Sequence, residues 1–237
     1  MKQTRELLSR LEIIERGAWE QICNAMPQSL RQGLGMEAVR MGEALLTFCP
    51  RIDQGQFNRV FALGLDTMPV ERVMASTVEQ FKKGGLKNGM VQIPEGSDAL
   101  EDVAKALGLV RGPRSWIKFL RLTNEPPDAR TSLRILSVTN DMAQSFGAIV
   151  AVGFGMPPSM AGWTTALVGL PNWHCYLAYA GDKPVAGAAL LLVGDMAWLG
   201  MGSTVPEERG KGAQAALLAH RIRHAGVLGC SSVTVET

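Results

Sequence analysis

The chain has 237 residues, 46% of them hydrophobic, so it can bury a substantial core as one large domain or two small ones. Its 24 basic and 22 acidic residues leave a formal net charge of +2, which excludes a global field steering it toward nucleic acid or an anionic membrane. Any anion site must therefore be local. Cys23, Cys49, Cys175 and Cys230 form no C-x-x-C pair, which argues against a zinc ribbon or a redox dithiol and for small buried hydrophobes in a reducing compartment. The N-terminus runs from Met1 into the charged stretch Arg10 to Arg16 without the apolar core of a signal peptide, and a cytoplasmic protein is expected.

In chain order, residues 6–34 read as helical, with Leu7, Leu8, Leu11 and Ile14 at helix spacing and a break at Met26-Pro27. Strands are predicted at 44–48 and 57–63, then an amphipathic helix at 70–81 that opens after Pro69 and closes at Gly84-Gly85. A strand at 90–93, a helix at 98–107 with Ser97 as N-cap, and a strand at 116–120 complete this half. Asn124-Glu125-Pro126-Pro127-Asp128 is the linker signal, and it divides the chain into 1–127 and 128–237.

The second half opens with a strand at 133–138, a helix capped by Asn140 and running to about Val152, and a short helix at 159–168. No Asp, Glu, Lys or Arg occurs from Met142 to Gly181, but Pro157-Pro158 and Pro171 divide the run into pieces too short to span a bilayer. Core-facing helices account for it, with an apolar substrate mouth or a subunit interface as the sharper reading. Strands at 174–180, 185–193 and 196–204 follow, joined by turns short enough to force an antiparallel meander. A helix at 210–226 seats Ala215, Leu218, Ile222 and Ala225 on the sheet, and a strand at 232–236 closes the chain.

The junction Thr204-Val205-Pro206-Glu207-Glu208-Arg209-Gly210-Lys211-Gly212-Ala213-Gln214 carries the chemistry. A strand feeds a helix through a glycine-bearing turn, and the unpaired N–H groups and positive dipole end of that helix favour a phosphate. Gly210 and Gly212 allow close backbone approach, and Arg209 and Lys211 add mobile cations.

These residues resemble the cofactor motif of the GNAT acetyltransferase superfamily: Arg or Gln, two residues, Gly, one residue, then Gly or Ala. Arg209 to Gln214 fits except at the last position, where Gln214 replaces the small residue. The element order from Leu133 to Glu236 is similar as well. The resemblance implies acetyl-coenzyme A as cofactor, gripped by Arg209, Gly210, Lys211, Gly212, Ala213 and Gln214, with its pantetheine arm pairing along Gly202, Ser203 and Thr204. It implies direct transfer of the acetyl group to an amine, on a small molecule or a peptide, without a covalent enzyme intermediate. Glu236 is the candidate general base, with a strand-end structural acid as its alternative. Phe154, Met156, Trp163 and Trp173 are candidate substrate contacts, although tryptophan is mostly a core residue. The family continues with another helix and two strands after Glu236, so the C-terminal copy reads as truncated. The missing strands would belong to a longer chain, to another part of this protein, or to a partner subunit in a homodimer.

An internal echo extends the reading. Leu63-Gly64-Leu65 followed by Pro69-Val70-Glu71-Arg72 repeats the rhythm of Leu199-Gly200-Met201 followed by Pro206-Glu207-Glu208-Arg209, but β-branched Val73 falls where the downstream copy has its glycines. The expected fold class is therefore α/β (α+β): tandem GNAT-like domains of mixed, mostly antiparallel sheet with flanking helices, the first a degenerate copy without cofactor or else an unrelated α/β domain. Three other readings compete. Gly210 to Ala215 also fits G-x-G-x-x-A of dinucleotide-binding proteins, but four residues intervene between strand and glycine and the preceding strands are an antiparallel meander. A cofactor-sensing or scaffolding protein would keep the fold without turnover. His220 and His224 have chelating spacing but no third ligand, so no metal is expected and they read as solvated surface histidines.

Overall fold

A computed structural model describes residues 2–113, 115–129 and 131–237; Met1, Arg114 and Arg130 lie outside the described residues. The chain is of the α+β class, with two mixed sheets and flanking helices. It divides into two compact units, one of residues 1–24 and 28–115, the other of residues 25–27 and 116–237. The division falls between Ser115 and Trp116, upstream of the Pro126-Pro127 stretch that carries the linker signal.

In the first unit, α1 (Lys2–Ala25) and α2 (Gln28–Leu34) precede a four-stranded sheet ordered β1 (Glu37–Met41), β2 (Ala44–Phe48), β3 (Arg59–Phe61), β4 (Met90–Val91). The Met26-Pro27 break separates the two helices, as proline's missing N–H demands. Strand β1 has no sequence expectation behind it, because its pattern of two half-buried and three exposed residues gives no apolar alternation. All five residues of β2 are buried. Helix α3 (Val70–Lys83) carries the chain from β3 to β4, which pair in parallel, and α4 (Asp98–Ala106) follows. Ser97 occupies the N-cap position of α4 without making the side-chain cap bond its sequence position implies. Ala44, Leu46, Val60, Val73, Met74 and Phe81 form the core. Opposite that core, the buried pair Glu15 and Arg59 meets at 2.9 Å, with the guanidinium stacked 4.1 Å over the Phe61 ring.

The second unit holds a six-stranded sheet in the order β5 (Lys118–Leu122), β10 (Ser232–Glu236), β9 (Met196–Thr204), β8 (Lys183–Val193), β7 (Trp173–Ala180), β6 (Arg134–Ser137). The meander β7-β8-β9 is antiparallel as its short turns require, and α7 (Ala213–Val227) crosses over to place β10 parallel to β9. Strand β5 pairs antiparallel with β10 along its whole length, from Glu236 opposite Lys118 to Ser232 opposite Leu122. A segment upstream of the meander thus covers the outer edge of β10. Sequence alone places that segment with the first half, because nothing local announces a partner more than a hundred residues away.

Helix α5 (Ala143–Gly153) and the short α6 (Gly162–Thr165) cover one face of this sheet and α7 the other. Asn140 does not cap α5; it opens a 3-10 turn, Asn140–Met142, that leads into the helix. The charge-free run is core, with Phe146, Val150, Ala151, Trp163 and Leu167 buried. No helix among the described residues is long and apolar enough to cross a membrane. Helix α7 starts three residues later than expected; Ile222 and Ala225 of the expected stripe are buried and Leu218 is partly buried against the same core, whereas Ala215 is exposed and Ala213, Ala216 and Leu217 widen the inward face. The reason is the cap. Gly212 sits at the N-cap in the left-handed region, with φ 82°, so the two glycines belong to the turn and the helix phase is set after them.

Candidate functional site

Strand β9 pairs with β10 from Met196 to Trp198; from Leu199 onward it has no strand on that side among the described residues. On its other side the ladder with β8 slips between Gly187 and Ala189, and Met201 takes a positive φ of 55°, the signature of a bulge. Two buried groups stabilise this irregularity. Arg221, on the inward face of α7, donates from Nη1 to the carbonyls of Ala189 at 2.8 Å and Gly200 at 3.0 Å, and burial lowers its pKa to about 10. The Trp198 ring folds over Gly200, where a Cβ would lie 1.9 Å from it.

A cleft of about 330 Å³ opens at the free end of β9. Its lining brings together Gly202, Ser203, Thr204, Arg209, Gly210, Gly212, Ala213 and Gln214, eight of the nine residues expected to hold the cofactor. Gly210 and Gly212 both have positive φ, 75° and 82°, and a Cβ on either would meet no protein atom within 4 Å, so these positions open onto space that a ligand can use. The first turn of α7, Ala213 to Ala215, lines the same cleft, and the positive end of a helix dipole favours an anion there.

The polar side chains are tied down more than the sequence implies. Arg209 is not a mobile cation: its Nη2 donates to Gly153 O at 2.8 Å and its Nε to Thr204 O at 3.3 Å, so it straps the end of α5 to the end of β9. Lys211 does not line the cleft and pairs with Glu208 at 2.9 Å, an exposed contact of small worth that leaves it able to swing. Gln214 lays its carboxamide along β9, with Nε2 donating to Ser203 O at 2.7 Å and to Thr204 Oγ1 at 3.1 Å. Ser203 Oγ is buried and makes no hydrogen bond.

The other candidates lie elsewhere. Glu236 is outside the cleft lining, and its carboxylate accepts the Trp198 indole N–H at 2.9 and 3.0 Å. Trp163 and Trp173 are buried at 1% and 5% exposure, Met156 is buried too, and Phe154 packs edge-on against Trp163. From α5 it is Gly153 that reaches the cleft, without any local sequence signal for it, and Glu208 and Ala215, which lie in and beside the glycine junction, join it. His220 and His224 are half-buried rather than fully solvated. They pack with His174 around Tyr176, whose hydroxyl is 2.6 Å from His224 Nδ1, and all three histidines of the chain are half-buried there. Among the described residues no cluster of His, Cys, Asp and Glu could hold a metal ion.

Residues 128–235 match the family model described as acetyltransferase (GNAT) domain. Over those residues, a little under half of the chain, the second unit is thus similar to a GNAT acetyltransferase domain. Among solved structures the whole chain is similar to a GCN5-related N-acetyltransferase from Kribbella flavida, with TM-score 0.54 and 16% identity over 92% of this chain and 84% of that one. It is also similar to a functionally unknown conserved protein from Staphylococcus epidermidis ATCC 12228, with TM-score 0.51 and 12% identity over 86% of this chain and 84% of that one. At these identities the likeness is one of fold. No curated protein matches the sequence.

Proposed function

We propose that this protein transfers an acetyl group from acetyl-coenzyme A directly to the amine of a small molecule. The observation that carries the reading is the cleft itself, where the open edge of β9 runs into the left-handed glycines and the N-terminal turn of α7. Acetyl-coenzyme A, when bound, supplies a thioester and a pyrophosphate. The pyrophosphate suits the helix start and the swinging Lys211, and the amide-bearing arm suits the unpaired strand from Leu199 to Thr204.

On this reading Arg209 is a positioning residue, which holds Gly153 and Thr204 so that the cleft keeps its width. Glu236 sits two residues beyond the last β10–β9 pair and is fixed by Trp198; it is our candidate for taking the proton from the amine. The same indole contact favours a second reading, binding without turnover, since a carboxylate so engaged also serves as a structural strand-end acid. We further read the first unit as a degenerate copy. Its β3-α3-β4 crossover joins parallel strands as β9-α7-β10 does, but α3 opens at Pro69 and Val70 without glycines.

Release of free coenzyme A from acetyl-coenzyme A, followed with a thiol reagent across a panel of amines, tests the proposal. Amine-dependent release that is lost in Gly212→Val supports it, since the valine side chain would project into the cleft from a backbone it cannot easily adopt. Calorimetric binding without amine-dependent release would select the second reading.

A further inference from the structure

Strand β5 is the outermost strand of the six-stranded sheet among the described residues, yet it is built like an interior one. Trp116, Ile117, Phe119, Leu120 and Leu122 make a near-continuous apolar run, the pattern of a strand buried on both faces. All five are between 41% and 59% exposed. They fall on both faces, since Phe119 stands opposite Val235 on the side of α7, and Leu120 and Leu122 stand opposite Thr234 and Ser232 on the other. Together they leave on the order of 500 Å² of apolar side chain at one edge, near the largest patch that a monomer ordinarily shows.

The backbone of this edge is oriented for pairing. Ile117 exchanges both backbone hydrogen bonds with Thr237, and Thr123 donates to Ser231 O, so the odd-numbered residues face β10 and the N–H and C=O groups of Lys118, Leu120 and Leu122 point outward. A bulge or a proline shields many natural edges. Strand β5 has neither, its register with β10 runs unbroken from Lys118 to Leu122, and the charge of Lys118 stands opposite Glu236.

We propose that β5 is a dimer interface, pairing antiparallel with β5 of a second copy about a two-fold axis at Leu120. In that register Leu120 meets the partner's Leu120 and Lys118 meets the partner's Leu122, each as a hydrogen-bonded pair. On the α7 face Phe119 stands opposite the partner's Arg121, a ring against a guanidinium, and the same contact repeats across the axis. Two copies bury roughly 1,000 Å² of apolar side chain in this way, the lower bound for a specific interface, and their sheets become one. Nothing in this pairing depends on the cofactor cleft.

Sedimentation equilibrium of the full chain should show a reversible dimer of twice the 25.5 kDa chain mass at concentrations up to about 100 μM. Leu120→Lys sets two ammonium groups across the axis and Phe119→Lys sets one against the partner's Arg121, so each should raise the dimer Kd at least about tenfold with the circular dichroism spectrum unchanged. Leu120→Cys tests the register. Paired Cα atoms lie about 5.5 Å apart in such a ladder, within reach of a disulfide, and Cys23, Cys49, Cys175 and Cys230 are buried. Oxidation should yield a covalent dimer of Leu120→Cys and none of Leu122→Cys, which lies opposite position 118. A chain that stays monomeric throughout would give the edge to another occupant and overturn the proposal. A dimer that both lysine variants leave unchanged, or that Leu120→Cys fails to crosslink, would overturn it as well.

Discussion

At the scale of single residues, the chemistry of Arg209, Lys211 and Gln214 is legible in the sequence but their employment is not. A basic residue before a glycine turn reads as an anion contact, yet Arg209 is drawn to the carbonyls of Gly153 and Thr204 because the end of α5 arrives beside β9. Gly153 makes that arrival feasible. A Cβ there would lie 2.6 Å from Ser203 Cβ and 3.0 Å from Thr204 N, so Gly153→Ala must push α5 away from β9 and carry the Arg209 acceptor with it. We expect this variant to stay folded with a stability loss of about 1–3 kcal/mol and to lose at least tenfold in coenzyme A affinity, read by thermal melt and calorimetry. Glu236 offers a sharper kinetic test. If it takes the proton from the amine, Glu236→Gln lowers kcat by about a hundredfold or more while coenzyme A affinity is unchanged. Wild-type turnover in this variant would leave Glu236 a structural strand-end acid, held by Trp198 among other contacts.

At the scale of elements, β9 shows both what a pattern conveys and where it stops. Its length and its place in an antiparallel meander follow from apolar residues and short turns, but the bulge at Met201 and the loss of pairing after Trp198 are invisible locally. They depend on Arg221 reaching the sheet from α7 and on Trp198 covering Gly200. The pairing of α7 with β7 has a pH signature. Burial, and then the neighbouring His224, lowers the pKa of His174, while burial, His224, Arg223 and Arg221 lower that of His220. Below the ordinary value of 6.5 the unfolded chain takes up protons that these folded histidines refuse, so stability is full above that pH and falls as the pH drops toward their lowered values. Denaturant melts between pH 7.5 and pH 5 should therefore show a declining midpoint, and His174→Gln or His220→Gln should flatten the decline.

At the scale of the molecule, the pairing of β5 with β10 makes a prediction about fragments. A piece spanning 116–237 keeps the strand that covers β10, whereas one spanning 128–237 leaves the five residues of β10 as a bare edge. We expect the longer piece to melt cooperatively and the shorter one to aggregate or melt at markedly lower temperature, as seen by circular dichroism and size-exclusion chromatography. The sequence by itself determined the meander, the crossover helix, the glycine turn and the buried, unpaired state of all four cysteines, because each follows from periodicity, turn chemistry or residue type within a few positions. Only the tertiary structure decided that a strand from before the linker completes the sheet, that Arg209 and Gln214 bond to backbone inside the cleft, and that three histidines meet around Tyr176. Those are contacts between chain segments far apart in sequence, settled by which groups packing leaves without a partner, and no local pattern encodes them.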